Sequence, residues 1–310
     1  MLPTYCLAIG GAMTLRDVDV ALACGQRAFL ASVATPATHH LRSLPDVTLV
    51  LDSGAWPMDN PTRPSVDAWW QELRRFRQGP GDYGNLAYAL AYDHVGDPAR
   101  SDHDYHAAMG KVFDREAAGD TPIVPVLQYP TSPAAIAYDL EAAWAGTRPD
   151  WVDSDGTFDR PVYALGGLVP QRGSPDAVRW VEAVAATLND LIDDGGNADA
   201  LGIHILGSTR QSYLQPLTAL GIPVWCDTST PGRNAGFGLA TFGKDRFRER
   251  YGIPWSLIIQ SRLARLAYWL CHERDQIGLP WQTPDLAWLA ALPSLPSITQ
   301  LAQQLTLLAA

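Results

Sequence analysis

Short apolar runs rich in β-branched residues alternate along this chain with stretches whose apolar positions recur every third or fourth residue. Thr4–Ile9, Ala28–Ala34, Val47–Asp52, Leu86–Asp93, Ile123–Gln128, Val162–Gly167, Leu201–Gly207 and Pro223–Asp227 have the length and composition of strands. They are apolar on both faces, the mark of a parallel sheet covered on each side. Between them, Leu15–Ala23, Ala37–Leu44, Ser65–Phe76, Tyr105–Ala118, Pro133–Trp144 and Arg210–Leu220 read as helices, as does the segment from Ser174-Pro175 to Asp193-Asp194. In Ser65–Phe76 the stripe is Val66, Trp69, Trp70, Leu73 and Phe76, with Arg74, Arg75 and Arg77 off it. Ser174 followed by Pro175 is an N-cap with proline at the first helical position. Gly25, Gly119 and Gly221 stop helices, and Gly79-Pro80-Gly81 breaks one. Pro125 sits awkwardly inside its strand, because it has no N–H to give a neighbour.

Strand ends at 52, 93, 128, 167 and 207 mark one βα unit roughly every 35–40 residues. Strict alternation implies parallel pairing, and eight strand candidates favour a closed (β/α)8 TIM barrel over an open sheet. The expectation is a single-domain barrel over residues 1–275 with a short helical extension over 276–310 packed on it. After the last strand come a glycine-rich insert, Gly232–Gly243, and an apolar helix, Trp255–Leu270. Two short helices start near Thr283-Pro284 and Ser297.

In such a barrel the carboxyl ends of the strands form the reactive rim. Those ends offer Asp52, Asp93, Gln128, Gly166-Gly167, Leu206-Gly207 and Asp227. Two carboxylates can divide labour, one attacking while the other shuttles a proton. A third acid and an amide can read the hydrogen-bonding edge of a planar heterocycle. Glycines let backbone N–H groups approach a carbonyl oxygen. Each residue has a plainer reading: an acid can cap the next helix, Asp227 can belong to a turn with Thr228-Ser229-Thr230, and the diglycine can relieve crowding.

Composition narrows the setting. Four cysteines, Cys6, Cys24, Cys226 and Cys271, lie far apart without a CxxC pair, which suits free thiols in a reducing compartment. No basic leader precedes an apolar core and no apolar run approaches membrane length, so a cytoplasmic protein without a membrane span is expected. The net charge of −10 argues against a general affinity for nucleic acid. A local exception is Arg233–Arg265, where Arg233, Lys244, Arg246, Arg248, Arg250, Arg262 and Arg265 face only Asp245 and Glu249.

The motifs DSGAW, AYDHVGDP, VLQY, ALGGLVP, HILGST and VWCD, in this order and spacing, resemble the tRNA-guanine transglycosylase superfamily. That superfamily consists of (β/α)8 barrels exchanging guanine for a 7-deazaguanine, and the resemblance covers about Val47–Asp227. It implies that Asp227 is the nucleophile that displaces guanine and forms a glycosyl-enzyme. It implies that Asp52 manages protons on the leaving and entering bases. Asp93 would hold the amidine edge of the base with Gln128 beside it. The backbone of Gly167, with Leu168, would receive the six-oxo group, and Gly166 and Leu206-Gly207 would line the same pocket. The superfamily's structural zinc site, CxCxxC with a distal His, has no counterpart after Asp227; Cys271-His272 falls short of four ligands. No metal or cofactor is therefore expected.

This departure, with the DSGAW form of the first motif, makes the chain similar to the branch that inserts 7-deazaguanines such as 7-cyano-7-deazaguanine into DNA, often beside phage modification genes. DNA is the expected polynucleotide, ahead of tRNA. A duplex target guanine would have to leave the stack. Arg233, Lys244, Arg246 and Arg248 are the expected backbone contacts, with Arg172 and Arg210 as second choices. A homodimer or a partner protein is compatible with this reading. Two competitors stand beside it: a retaining glycosidase or nucleosidase using Asp52 and Asp227 with water, and a non-catalytic subunit of a paired transglycosylase. His103, Asp104 and His106 suggest a metal cluster but suit a solvated helix start better. His204 reads as a satisfied core histidine, and His94 lies within reach of a ligand.

Overall fold

Nine strands form one sheet in which every pairing is parallel. They are β1 (Thr4–Ile9), β2 (Ala28–Ser32), β3 (Thr48–Asp52), β4 (Leu86–Leu90), β5 (Ile123–Val124), β6 (Val126–Gln128), β7 (Tyr163–Gly166), β8 (Ile203–Ile205) and β9 (Val224–Thr228). The computed structural model describes residues 2–9, 13–32, 36–54, 65–78, 85–101, 123–135, 162–195, 198, 201–237 and 251–292. Their helices are α1 (Leu15–Ala23), α2 (Pro36–Arg42), α3 (Val66–Gln78), α4 (Pro175–Asp193), α5 (Gln211–Thr218), α6 (Thr230–Phe237), α7 (Trp255–Gln260), α8 (Arg262–Gln276) and α9 (Leu286–Ala291).

The strand order is β5-β4-β3-β2-β1-β9-β8-β7-β6, and its two ends are separated in the chain by Pro125 alone. The anticipated strand Ile123–Gln128 is thus two strands. Proline has no N–H for a ladder, but the carbonyl of Pro125 accepts from Ala164 N at 2.9 Å, on the β7 side. One residue earlier, Val124 O accepts from Ala91 N at 2.8 Å, on the β4 side. The run passes from one edge of the sheet to the other at its proline, and the sheet is nearly barrel-shaped.

Side chains alternate between two layers, as the two-residue period of a strand requires. On the concave face Cys6, Ala28, Leu30, Val50, Tyr88, Leu90, Val124 and Ala164 form one cluster, with Leu206 and Trp225 packed against it. On the outer face Leu127, Tyr163, Leu165, Ile203, Ile205, Val224 and Cys226 pack under α4 and α5, against Val181, Val184, Leu188, Leu214 and Leu217. The Tyr88 ring of β4 meets the Trp225 ring of β9 with centroids 5.3 Å apart, although three strands separate β4 from β9 in the sheet order. Only a curled sheet permits that contact.

Packing divides the chain into two compact units. The first, Met1–Met13, Gln26–Ser229 and Ile277–Leu279, contains all the described strands. The second, Thr14–Gly25, Thr230–Gln276 and Pro280–Ala310, contains α1 and α6 to α9. Within the second, Asp17 at the third position of α1 is fully buried and accepts from Thr14 N at 2.6 Å and Thr14 Oγ1 at 3.1 Å. Its other oxygen pairs with Arg262.

Several expected elements have different bounds. Strand pairing ends at Leu90, so Asp93 lies three residues beyond β4 rather than at its tip. β8 is three residues long, because the chain turns at Leu206-Gly207, where Gly207 has a positive φ of 69°. The first part of the glycine-rich insert is helical, as α6; its Pro231 stands in the first turn, where no N–H is needed. The apolar helix Trp255–Leu270 is broken at Ser261, which is extended at φ −123° and ψ 121°. Of the expected helices, Tyr105–Ala118, most of Pro133–Trp144 and the one from Ser297 fall outside the described residues. No helix among the described residues is long and apolar enough to cross a membrane.

Candidate active site

Because all strands run the same way, their carboxyl ends share one edge of the sheet, and two hydrogen-bonded groups are built there. The first is centred on Asp227. Val224 and Cys226 of β9 point into the outer layer and Trp225 into the concave one. By alternation Asp227 follows Trp225 onto the concave face, where it is 4% exposed. Its Oδ1 accepts the N–H of Gly207 at 2.9 Å and lies 3.1 Å from His204 Nε2. Its Oδ2 takes a hydrogen bond from none of the described residues. Gly207 is glycine for two reasons. Its φ is positive, and a Cβ there would lie 2.3 Å from Val169 Cγ2. The other ring nitrogen of His204, Nδ1, lies 2.7 Å from the hydroxyl of Tyr88.

The second group is centred on Asp93, also 4% exposed. Ser53 Oγ donates to its Oδ1 at 2.8 Å, and Gln128 Nε2 donates to its Oδ2 at 2.6 Å. Gln128 is the last residue of β6, level with Gly166 on β7. Its Oε1 is buried and has no hydrogen-bond partner among the described residues, an arrangement that costs free energy unless a donor arrives from elsewhere. Gly166 leaves room for this amide, and Gly167, at φ 75°, turns the chain beside it. The N–H groups of Gly167 and Leu168 donate to none of the described residues. The Leu168 side chain packs in the outer layer, so the residue offers this edge its backbone.

Asp52 closes β3 level with Ser32 and is half-buried, on the parity of Val50. Its neighbour Ser53 ties that loop to Asp93. Leu206 packs against the concave cluster beside Gly207. Arg233 is exposed on α6, in the second compact unit. Lys244, Arg246 and Arg248 lie outside the described residues, as do His103, Asp104 and His106. Arg172 and Arg210 are exposed on the loops that follow β7 and β8, and neither pairs with a carboxylate among the described residues. The Arg210 guanidinium lies against Gly173, whose N–H donates to Tyr213 Oη at 2.9 Å. His94 is half-buried, and its backbone N–H donates to Ser101.

Three participants escape a reading of the sequence alone. Ser53 reads as loop flexibility within DSGAW, Tyr88 as strand filler, and His204 as core. His204 is satisfied in its burial, but one of its two partners is the candidate nucleophile. A polar ring in the middle of the short apolar strand LGIHILG was the available signal.

Burial raises the Tyr88 phenol well above its usual range, and its proximity to Cys6, Asp227 and Cys226 adds to the shift. Burial, then Asp227 and Cys226, raise the Cys6 thiol in the same way. Among the described residues no group of three His, Cys, Asp or Glu side chains could hold a metal ion. One carboxylate with an unengaged oxygen can attack an electrophilic carbon or take a proton. A second, clasped between an amide and a hydroxyl, is suited to reading a pattern of N–H donors. Comparison with protein-family models finds no match, and neither does comparison with curated proteins.

Proposed function

We propose that this chain is a base-exchange transglycosylase that replaces guanine in a polynucleotide, DNA before tRNA, with a 7-deazaguanine. The observation that carries the reading is the asymmetry of Asp227: two donors hold Oδ1, while Oδ2 is engaged by none of the described residues. A nucleophilic carboxylate needs that arrangement, since a lone pair already spent on a hydrogen bond attacks poorly. Counting the run interrupted at Pro125 as one strand gives eight, in keeping with a (β/α)8 barrel. The pairing of Asp93 with Gln128 supports purine recognition. A carboxylate offers acceptors only, the complement of the N–H groups of an amidine edge, and Gln128 Oε1 has no donor among the described residues. The backbone N–H groups of Gly167 and Leu168 suit a carbonyl oxygen such as the six-oxo group. Arg172 and Arg210, exposed and without carboxylate partners among the described residues, are the groups we assign to meet phosphates.

In this mechanism Asp227 Oδ2 attacks C1′ of the nucleoside. The C1′–N9 bond breaks, its electron pair leaves with guanine, and Asp52 supplies the proton that neutralises the departing base. The incoming 7-deazaguanine gives its N9 proton to the Asp52 carboxylate and displaces Asp227 from C1′. Two displacements at one carbon retain its configuration, as in a retaining glycosidase.

The test is incubation with DNA or tRNA labelled in guanine, together with 7-cyano-7-deazaguanine, followed by nucleoside mass spectrometry. Wild type releases labelled guanine and incorporates the added base. Asp227→Asn, which keeps the shape of the side chain, loses about 10⁴-fold or more. Asp52→Ala loses roughly 10²- to 10⁴-fold. Release from Asp227→Asn at the wild-type rate would remove the nucleophile assignment, and release that proceeds equally well without added base would make the protein a nucleosidase.

A further inference from the structure

The geometry points to His204 and Tyr88 as a bracket that holds Asp227 in its attacking orientation, with the His204 ring neutral and its proton on Nε2. This rests on the reading of Asp227 as nucleophile, and it assigns work to two residues that otherwise look like filling for the concave face.

Tyr88 and His204 are fully buried, and Asp227 nearly so. A carboxylate offers only acceptors, so the nitrogen 3.1 Å from Asp227 Oδ1 must carry a hydrogen. The Tyr88 hydroxyl faces Nδ1 from β4 and the Asp227 carboxylate faces Nε2 from β9. Tyr88 keeps its proton there and has one to give, 2.7 Å from Nδ1. The consistent assignment is Tyr88 Oη–H donating to Nδ1 and Nε2–H donating to Asp227 Oδ1. Contact between the Tyr88 ring and Trp225 leaves the hydroxyl little freedom to turn elsewhere.

The consequence for reactivity is specific. An aspartate carboxylate ordinarily rotates about its last bond, exchanging its two oxygens. Two donors converging on Oδ1, one from backbone and one from an imidazole, fix the plane and leave Oδ2 forward. A neutral donor also suits an exchange reaction better than a cation does. Asp227 must leave C1′ as readily as it attacks, and an imidazolium would tie up the charge that makes the attack. Tyr88 makes Nδ1 an acceptor, which leaves the ring hydrogen on Nε2, facing Asp227.

The experiment uses the full chain with ¹⁵N-labelled histidine. Nitrogen chemical shifts report which ring nitrogen of His204 bears hydrogen, with His204→Gln identifying the resonance. Near neutral pH the bracket requires Nε2–H and a bare Nδ1, with that preference weakened in Tyr88→Phe. A ring protonated at Nδ1 alone would overturn it. In base-exchange kinetics His204→Gln, which retains an N–H donor, keeps more activity than His204→Leu. The leucine variant loses roughly 10- to 100-fold in kcat, the worth of a hydrogen bond to a charged group, with KM for the polynucleotide little changed. Tyr88→Phe, which removes the donor to Nδ1, loses part of kcat with KM little changed. Equal loss in the glutamine and leucine variants, in step with their thermal midpoints, would reduce the pair to packing. If wild type exchanges no base, the transglycosylase reading fails, but the nitrogen shifts still decide the bracket on their own.

Discussion

Gly166 shows how little room the Asp93–Gln128 pair has. A methyl group there would lie 2.5 Å from Gln128 Nε2, 2.9 Å from its Cδ and 2.9 Å from Val126 Cγ1. The end of Gln128 is the part free to move, and moving it breaks the 2.6 Å bond to Asp93. Gly166→Ala is therefore expected to raise KM for the incoming base by roughly tenfold, the cost of one hydrogen bond to a charged group, while kcat is nearly kept. Steady-state exchange kinetics at varied base concentration measure both; a fall in kcat with KM intact would place Gly166 elsewhere in the cycle. At this scale the residues legible in the sequence were those whose chemistry is local. Asp93, Asp227 and the glycines stand out because acids and diglycines after apolar runs are unusual. Ser53, Tyr88 and His204 did not, because their roles depend on partners 40, 116 and 23 positions away. Hydrophobic periodicity carries no trace of such pairings.

The elements were more legible than their ends. Strand positions followed from apolar runs, and Pro125 announced a difficulty where the strand divides. Which neighbours each half would take was not written locally, since it depends on how the whole sheet curls. The break between α7 and α8 at Ser261 was hidden because the apolar pattern runs across it. One long-range contact also escaped notice: Arg262, at the start of α8, reaches Asp17 in α1. Asp17 is fully buried, and Thr14 serves only its other oxygen. Arg262→Ala leaves that charge without its cation and should destabilise the second unit by about 3 kcal/mol. Urea unfolding followed by tryptophan fluorescence would show a lower midpoint with an unchanged slope. A midpoint within error of wild type would mean that the capping donors alone suffice.

Across the whole molecule the four cysteines are buried and none forms a disulfide, and alkali should find them. The Cys6 thiol and Tyr88 phenol are both raised by burial first. Cys24 is raised by its hydrogen bond with Cys271 and then by burial. In each case the unfolded chain loses its proton at a lower pH than the folded one. The stabilisation is thus complete below the ordinary thiol and phenol values, 9.0 and 10.0, and is lost as pH rises above them toward the folded values. Thermal midpoints at constant ionic strength should fall steadily above about pH 9, and Cys6→Ala should flatten part of that fall. A midpoint level up to pH 11 would contradict it. The two carboxylate groups on the sheet edge have one more implication. Asp93 is held by Ser53 and Gln128, whereas Asp227 is held by Gly207 and His204, so the named supports of one are not those of the other. In the exchange we propose, choice of cargo and the act of transfer are thereby separable: selection can retune the first by altering β3 and β6, and the second keeps its scaffold.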